Sequence, residues 1–264
     1  MSLPDRSQRK QAVGAKFGRA RDQANSLIEA VNAYIKSDSV ALNPQPDPDK
    51  PTEYPFKARI IEEPDTMTWG LMLGDAIHNY RSALDNAVWN LTLVGTNEQM
   101  PTKPRKVKFP ISMETTGYQS AIAHIDPCAQ AAIEWCQPHR GRYAPNFEPL
   151  WLLNELSNAD KHRVVTPILA MPEGLSIDEF LVGGEPGQVH VDFPGDPIED
   201  GATVFTIHTE NPVEVKMKAS LGLNVFLDLT PYDHLPHARL ALDDALSAID
   251  DDAAAVLVRL DPWA

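Results

Sequence analysis

Residues 65–94, DTMTWGLMLGDAIHNYRSALDNAVWNLTLV, form the longest uninterrupted amphipathic run in the chain, and the rest is read outward from them. At about 100° per residue, Trp69, Leu73, Ala76, Ile77, Tyr80, Leu84, Ala87, Val88 and Leu91 share one broad arc, which must face a core. Arg81, Asp85 and His78 follow directly beside that arc. Leu71 and Trp89 close the far side, and Ser82, Asp75 and Asn86 point outward. A polar stripe fenced by apolar residues predicts partial burial, and buried charges need partners. Arg81 and Asp85 stand at i,i+4, and His78 is one turn from Arg81 and Ser82. Asp65 or Thr66 is positioned to cap the helix, and Gly95 with Thr96 and Asn97 to stop it.

A second informative helix is predicted over 148–163, EPLWLLNELSNADKHR, with Leu152, Leu153, Leu156 and Ala159 on its buried face. Its polar positions are Asn154, Glu155, Asn158, Asp160, Lys161, His162 and Arg163. Cations gathered at a helix C-terminus complement the macrodipole, which is the bland reading of this quartet. The functional reading pairs the two helices. Each carries a histidine, an arginine and acids, so His78, Arg81 and Asp85 would meet Lys161 and His162 in one pocket, with Asp160, Arg163, Asn154 and Asn158 binding a ligand.

Further out, residues 7–37 read as a helix with Phe17, Ala20, Ala24, Leu27, Ile28, Val31 and Ile35 at three- and four-residue steps. The proline-rich stretch ALNPQPDPDKPTEYP (41–55) reads as a surface loop, and 56–61 as a strand. A basic turn at 102–108 leads into a short strand predicted over 107–111, and two short helices follow at 117–125 and 127–136. Beyond residue 170 the pattern changes to period two: strands are predicted at 179–182, 188–193, 203–209 and 213–229, the last bent or turned back at Gly222. A closing helix from 234 or 236 to 260 puts Leu242, Leu246, Ile249, Ala253, Val256 and Leu257 on one face. Asp243, Asp244, Asp250, Asp251 and Asp252 lie mainly on the other, a solubility face. Helices first, an antiparallel sheet later and a closing helix make an α+β fold. It is expected as a single domain, with 1–170 mainly helical, 171–233 mainly β and 234–264 the closing helix.

Composition narrows the function. A net charge of −14 over 264 residues repels phosphate backbones, so nucleic acid is disfavoured in general. RNA would be left only a local basic patch such as 1–21 or 102–108. No apolar run approaches the ~20 residues of a membrane span, and the N-terminus has no apolar signal core, so a soluble cytoplasmic protein is expected. Cys128 and Cys136, without a CxxC pair, read as reduced, partly buried thiols. No dinucleotide, P-loop or nucleophile-elbow motif is present, and no cofactor is expected. Asp75 and His78 stand at i,i+3 like half of a bundle metal site, but no second carboxylate-x-x-His occurs and no metal is expected.

Two strings, GDAIHNYRSALDNAVWNL (74–91) and LWLLNELSNADKHRVV (150–165), resemble the paired motifs of an uncharacterised bacterial family frequent in actinobacteria. Its usual form is His-Asn-x-Arg-Ser-Ala-Leu-Asp-His, followed by Asp/Asn-Lys-His-Arg after a leucine-rich helix. The resemblance covers about residues 66–165 and implies no established activity. The same run resembles, more loosely, the Arg–four residues–His signature of HEPN-type helical ribonucleases, in which arginine and histidine act on the scissile phosphate without metal. Arg81 matches that signature, but Asn86 stands at the histidine position and cannot exchange a proton near neutral pH. An active site of that kind would need His78 or His162 as substitute. The favoured reading is a non-catalytic interaction or small-ligand-binding module with a semi-buried His/Arg/Asp cluster. The alternative is a metal-independent HEPN-like ribonuclease or other phosphate-acting enzyme using Arg81 with His162 or His78.

Overall fold

The computed structural model describes residues 4–37, 39–45, 47–143, 148–161, 164–165, 167–170, 180–217, 223–230 and 239–263. The fold is α+β, and the chain groups into two compact units. One comprises Met1–Ile28, Met67–Thr166 and Asp228–Ala264; the other comprises Glu29–Thr66 and Pro167–Leu227.

The first unit is helical. It holds the first part of α1 (Arg6–Ile35), then α2 (Thr66–Gly95), α3 (Gln119–Ile122), α4 (Pro127–Trp135), α5 (Pro149–Asp160) and α6 (Leu242–Leu260). Asp5 and Gln8 start α1 with a reciprocal capping box: the Gln8 amide donates to Asp5 Oδ1 and the Asp5 amide to Gln8 Oε1. Asp126 caps α4 through the Cys128 amide, with Pro127 in the first helical turn, where its missing N–H costs nothing. All nine apolar residues of the predicted α2 arc are buried, from Trp69 at 4% exposed to Leu84 and Val88 at 0%. Helices α1 and α2 pack together through Phe17 edge-on to Tyr80 (5.7 Å) and through Asn79 Nδ2 donating to Gln23 Oε1 (2.8 Å).

Two sequence expectations change here, and one is refined. Residues 107–111 form no strand; a 3₁₀ turn, Pro104–Lys106, is followed by extended chain whose polar groups are met by side chains of α2. The helix α2 ends at Gly95, as expected, but the left-handed turn is not made by the glycine. That conformation falls to Asn97 (φ 53°) and Glu98 (φ 61°), while Gly95 remains helical and lets the His124 carbonyl approach. Finally, α6 begins at Leu242, after a short strand Arg239–Ala241; residues 231–238, where its start was expected, lie outside the described residues.

The second unit is mainly strand. β1 (Val40–Pro44), β2 (Glu53–Ile60), β5 (Val189–Asp192) and β6 (Thr203–Thr209) form an antiparallel sheet in the order β1-β2-β6-β5. The proline-rich stretch therefore opens with an edge strand rather than a loop. An edge needs hydrogen bonds on one side only and tolerates proline, here Pro44 at its end. Tyr54, Phe56 and Ala58 alternate into the core of β2, and Phe56 stacks on Phe205 of β6 at 4.5 Å. The predicted 213–229 strand is two separate strands. Glu214–Met217 (β7) pairs with Phe180–Gly183 (β4), and Asn224–Asp228 (β8) pairs with Pro167–Ala170 (β3), a strand for which the sequence reading made no prediction.

Candidate functional site

Arg81 and Asp85 sit one turn apart on the flank of α2 and close on a single residue of the neighbouring extended chain. Arg81 Nη2 donates to the Phe109 carbonyl (2.5 Å), and Asp85 Oδ1 accepts from the Phe109 amide (2.9 Å). The two side chains also pair with each other at 3.2 Å. The Phe109 ring is fully buried, so this clamp fastens the segment against α2 and supplies the hydrogen bonds a strand partner would otherwise have given. Arg81 is 11% exposed and Asp85 33%. Burial lowers the Arg81 guanidinium from its ordinary value. It also raises the Asp85 carboxyl, against the opposing pull of Arg81, the Phe109 amide, Lys108 and Lys161.

The predicted stripe thus divides. His78 is exposed and has Ser82 Oγ beside its Nε2 at 3.4 Å. Leu71, expected to fence the stripe, is 55% exposed, and Asp75 also faces solvent. Only Arg81 and Asp85 of the α2 candidates are drawn inward, because only they have a buried peptide to serve.

The end of α5 does meet α2. The Asp160 carboxylate lies where a side chain at Gly74 would be: a Cβ there would stand 2.2 Å from Oδ1. A Cβ at Gly70 would stand 2.6 Å from Val164 Cγ1 and 2.8 Å from the Val165 carbonyl oxygen. The glycines, four apart and therefore on one face, are what permit this approach. That spacing, GLMLG at 70–74, was the sequence signal for the docking and went unread. Lys161 is exposed, is held by Asn158 Oδ1 (3.2 Å) and reaches Asp85 electrostatically. Asn154 donates to the adjacent Glu155 (3.2 Å), and Asn158 faces solvent. His162 and Arg163 lie outside the described residues.

Two charged clusters escaped the sequence reading, both on the aspartate-rich face of α6. Asp250 accepts two hydrogen bonds from Arg21 (3.0 and 2.7 Å) and one from Tyr80 Oη (2.9 Å), joining α1, α2 and α6. Desolvation first, then the Asp250 hydrogen bond, raises the Tyr80 hydroxyl pKa. Asp252 is fully buried and takes Arg142 Nη2 at 2.8 and 3.1 Å. The solubility-face assignment is therefore wrong for these two. Residues 250, 251 and 252 sweep about 200° of a helix, so three consecutive aspartates cannot all face water on a packed helix.

Three cations of the basic N-terminal stretch form ion pairs within the chain: Arg9–Glu98 (2.8 Å), Lys10–Asp261 (3.3 Å) and Arg21–Asp250 (2.7 Å). In the second unit, His190 and His208 both contact Asp192 (2.8 and 3.1 Å), an exposed trio on the sheet. Among the described residues no group of three or more His, Cys, Asp or Glu side chains is arranged to hold a metal, and no helix is long and apolar enough to cross a membrane.

The cysteines make one chemical prediction. Burial pushes the Cys136 thiol up to about 11, so it stays protonated and enclosed at pH 8, whereas Cys128 is exposed. An aromatic disulfide reagent should titrate one thiol in the native protein and two in denaturant; rapid native reaction of both would contradict this burial.

Compared with protein-family models, with curated proteins and with solved structures, the chain gives no match.

Proposed function

We propose that the protein is a non-catalytic binding module in which the Arg81–Asp85 cluster is scaffold. The observation that carries this reading is that Arg81 Nη2 and Asp85 Oδ1 are both engaged by the Phe109 peptide, and that Arg81 Nη1, without a partner among the described residues, is buried rather than presented to a cleft. An arginine that stabilises a phosphate in a transition state must present free donors to an open cleft. The pair instead behaves as a buried strut, and the one described histidine of the cluster, His78, is on the solvent side. The Asn86 substitution and the net charge of −14 point the same way. Membership of the bacterial family with paired His-Asn-x-Arg and Asp-Lys-His-Arg motifs is part of the same proposal and rests on the two strings. So is a cytoplasmic setting, supported by two cysteines without a bond between them.

The test combines stability and activity. Arg81→Ala leaves the Phe109 carbonyl and a half-buried Asp85 without their donor and is expected to cost about 2–3 kcal/mol in chemical denaturation. Arg81→Lys should recover only part of this, because an ammonium cannot bridge carbonyl and carboxylate with a planar fork. Folded wild-type protein should leave a panel of single-stranded and hairpin RNAs intact. Cleavage by wild type that disappears in a stably folded His162→Ala variant would overturn the scaffold reading.

A further inference from the structure

The four-stranded sheet of the second unit ends in β5, and no strand borders its outer side among the described residues. The strand is open to solvent: Val189 is 44% exposed, and the His190 and Asp192 side chains are 74% and 61% exposed. One bond fixes the parity of its ladder. The Glu210 amide donates to the Gln188 carbonyl (3.1 Å), and Gln188 stands two positions before His190, which is paired with His208 of β6. In an antiparallel ladder, residues of one parity exchange bonds with the neighbouring strand, and those between them turn both backbone groups away from it. His190 and Asp192 therefore bond inward to β6, while Val189 and Val191 aim their N–H and C=O groups off the edge of the sheet. Such a row is a template for one more strand.

The side chains say which strand it fits. Phe193 turns to the inner face, where it meets the Phe205 ring at 5.8 Å, and Val189 and Val191 share that side by the strand's period of two. His190 and Asp192 share the outer face. Laid antiparallel on a second copy about a two-fold axis at Val191, the run VHVDF (189–193) sets Val191 on Val191, Val189 on Phe193 and His190 on Asp192. The two His190–Asp192 matches fall at non-hydrogen-bonded positions, where facing side chains come closest. Each repeats a contact the strand already makes: within one chain, Asp192 lies 2.8 Å from His190 Nε2 and 3.1 Å from His208 Nε2. A carboxylate has lone pairs left for a third donor. Sliding one copy by two residues in either direction would set His190 on His190 or Asp192 on Asp192, like against like. Charge thus selects a single register.

We propose that two copies of this chain join edge to edge through β5 in this register, making one continuous antiparallel sheet from their two four-stranded ones. This goes beyond the binding-module reading, lies in the other unit and needs nothing from the Arg81 cluster. The contact is small, and two chains of charge −14 repel each other, which places it among transient interfaces. The expected dissociation constant is about 0.1 mM.

Sedimentation equilibrium of the full-length protein at neutral pH, over concentrations well below and well above that constant, tests the proposal. Wild type should pass from monomer to dimer across the range. Val191→Pro removes the donor at the axis without touching a bond to β6, because proline is tolerated where an N–H points off a sheet edge. It should stay monomeric with an unchanged circular dichroism spectrum. His190→Asp sets carboxylate against carboxylate at both ends of the contact and should weaken dimerisation about tenfold. Adding Asp192→His exchanges the two signs and should restore it, a recovery that a role confined to one chain would not give. Monomeric wild type throughout, undiminished dimerisation in folded Val191→Pro, or no recovery in the double variant would each overturn the proposal. If Val191→Pro does not fold, the charge exchange alone decides.

Discussion

Asp252→Ala is expected to cost about 3–5 kcal/mol, the range for removing one partner of a buried ion pair. Asp252 is fully enclosed, and Arg142, its partner, is 12% exposed. The carboxylate also takes hydrogen bonds from the Tyr143 side chain and the Leu150 backbone, so it fastens the α4–α5 connection to α6. Alanine would leave the guanidinium over Trp135 and Tyr143 with only the Cys136 carbonyl as acceptor in this cluster. Asp252→Asn keeps one acceptor and the shape, and should cost less than alanine. Urea denaturation of the three proteins at neutral pH measures the order directly; a loss below about 1 kcal/mol for alanine would contradict the strut.

The same carboxyl gives a pH dependence of defined sign. Burial raises its folded-state pKa above the ordinary aspartate value, with Arg142 and Tyr143 opposing. The folded protein therefore holds this proton more tightly than the unfolded chain. The proton-linked part of its contribution, which adds to the packing and hydrogen bonds present at any pH, is fully present below the unfolded value and is lost as pH rises through the raised folded one. The stability gap between wild type and Asp252→Asn should accordingly be larger in acid than at neutral pH.

The glycines of the helical unit should fall into two classes with opposite signs. Gly95→Ala would place a Cβ 1.9 Å from the His124 carbonyl oxygen, a backbone atom that cannot swing aside. Overpacking of this kind costs about 3 kcal/mol when the neighbour is main chain. Gly70→Ala meets the Val165 carbonyl at 2.8 Å and should follow the same direction. Gly14→Ala and Gly18→Ala, inside α1 with nothing within 4 Å of the new methyl, should each stabilise by about 0.5–1 kcal/mol. Thermal melts of the four variants test this; destabilisation by Gly14→Ala would contradict the open space at that position.

Local pattern carried far in this chain. The α2 arc from Trp69 to Leu91, the short helix after Asp126-Pro127 and the strand Thr203–Thr209 are each written in residues a few positions apart, where helical or alternating periodicity records which face is buried. The candidate stripe was legible only as a composition. Arg81 and Asp85 were picked out, but nothing within a turn of them could announce that Phe109, 24 residues beyond Asp85, would take both.

The sequence by itself determined that the run 65–94 holds a helix with one buried face, and that charges on its flank would need partners. Tertiary structure alone chose those partners. It gave Arg81 and Asp85 a peptide to clamp and turned Asp252 inward onto Arg142. The reason is physical. Periodicity encodes which side of an element leaves water, whereas a buried polar group is satisfied by whatever distant chain packing brings within 3 Å, and that distance has no local signature.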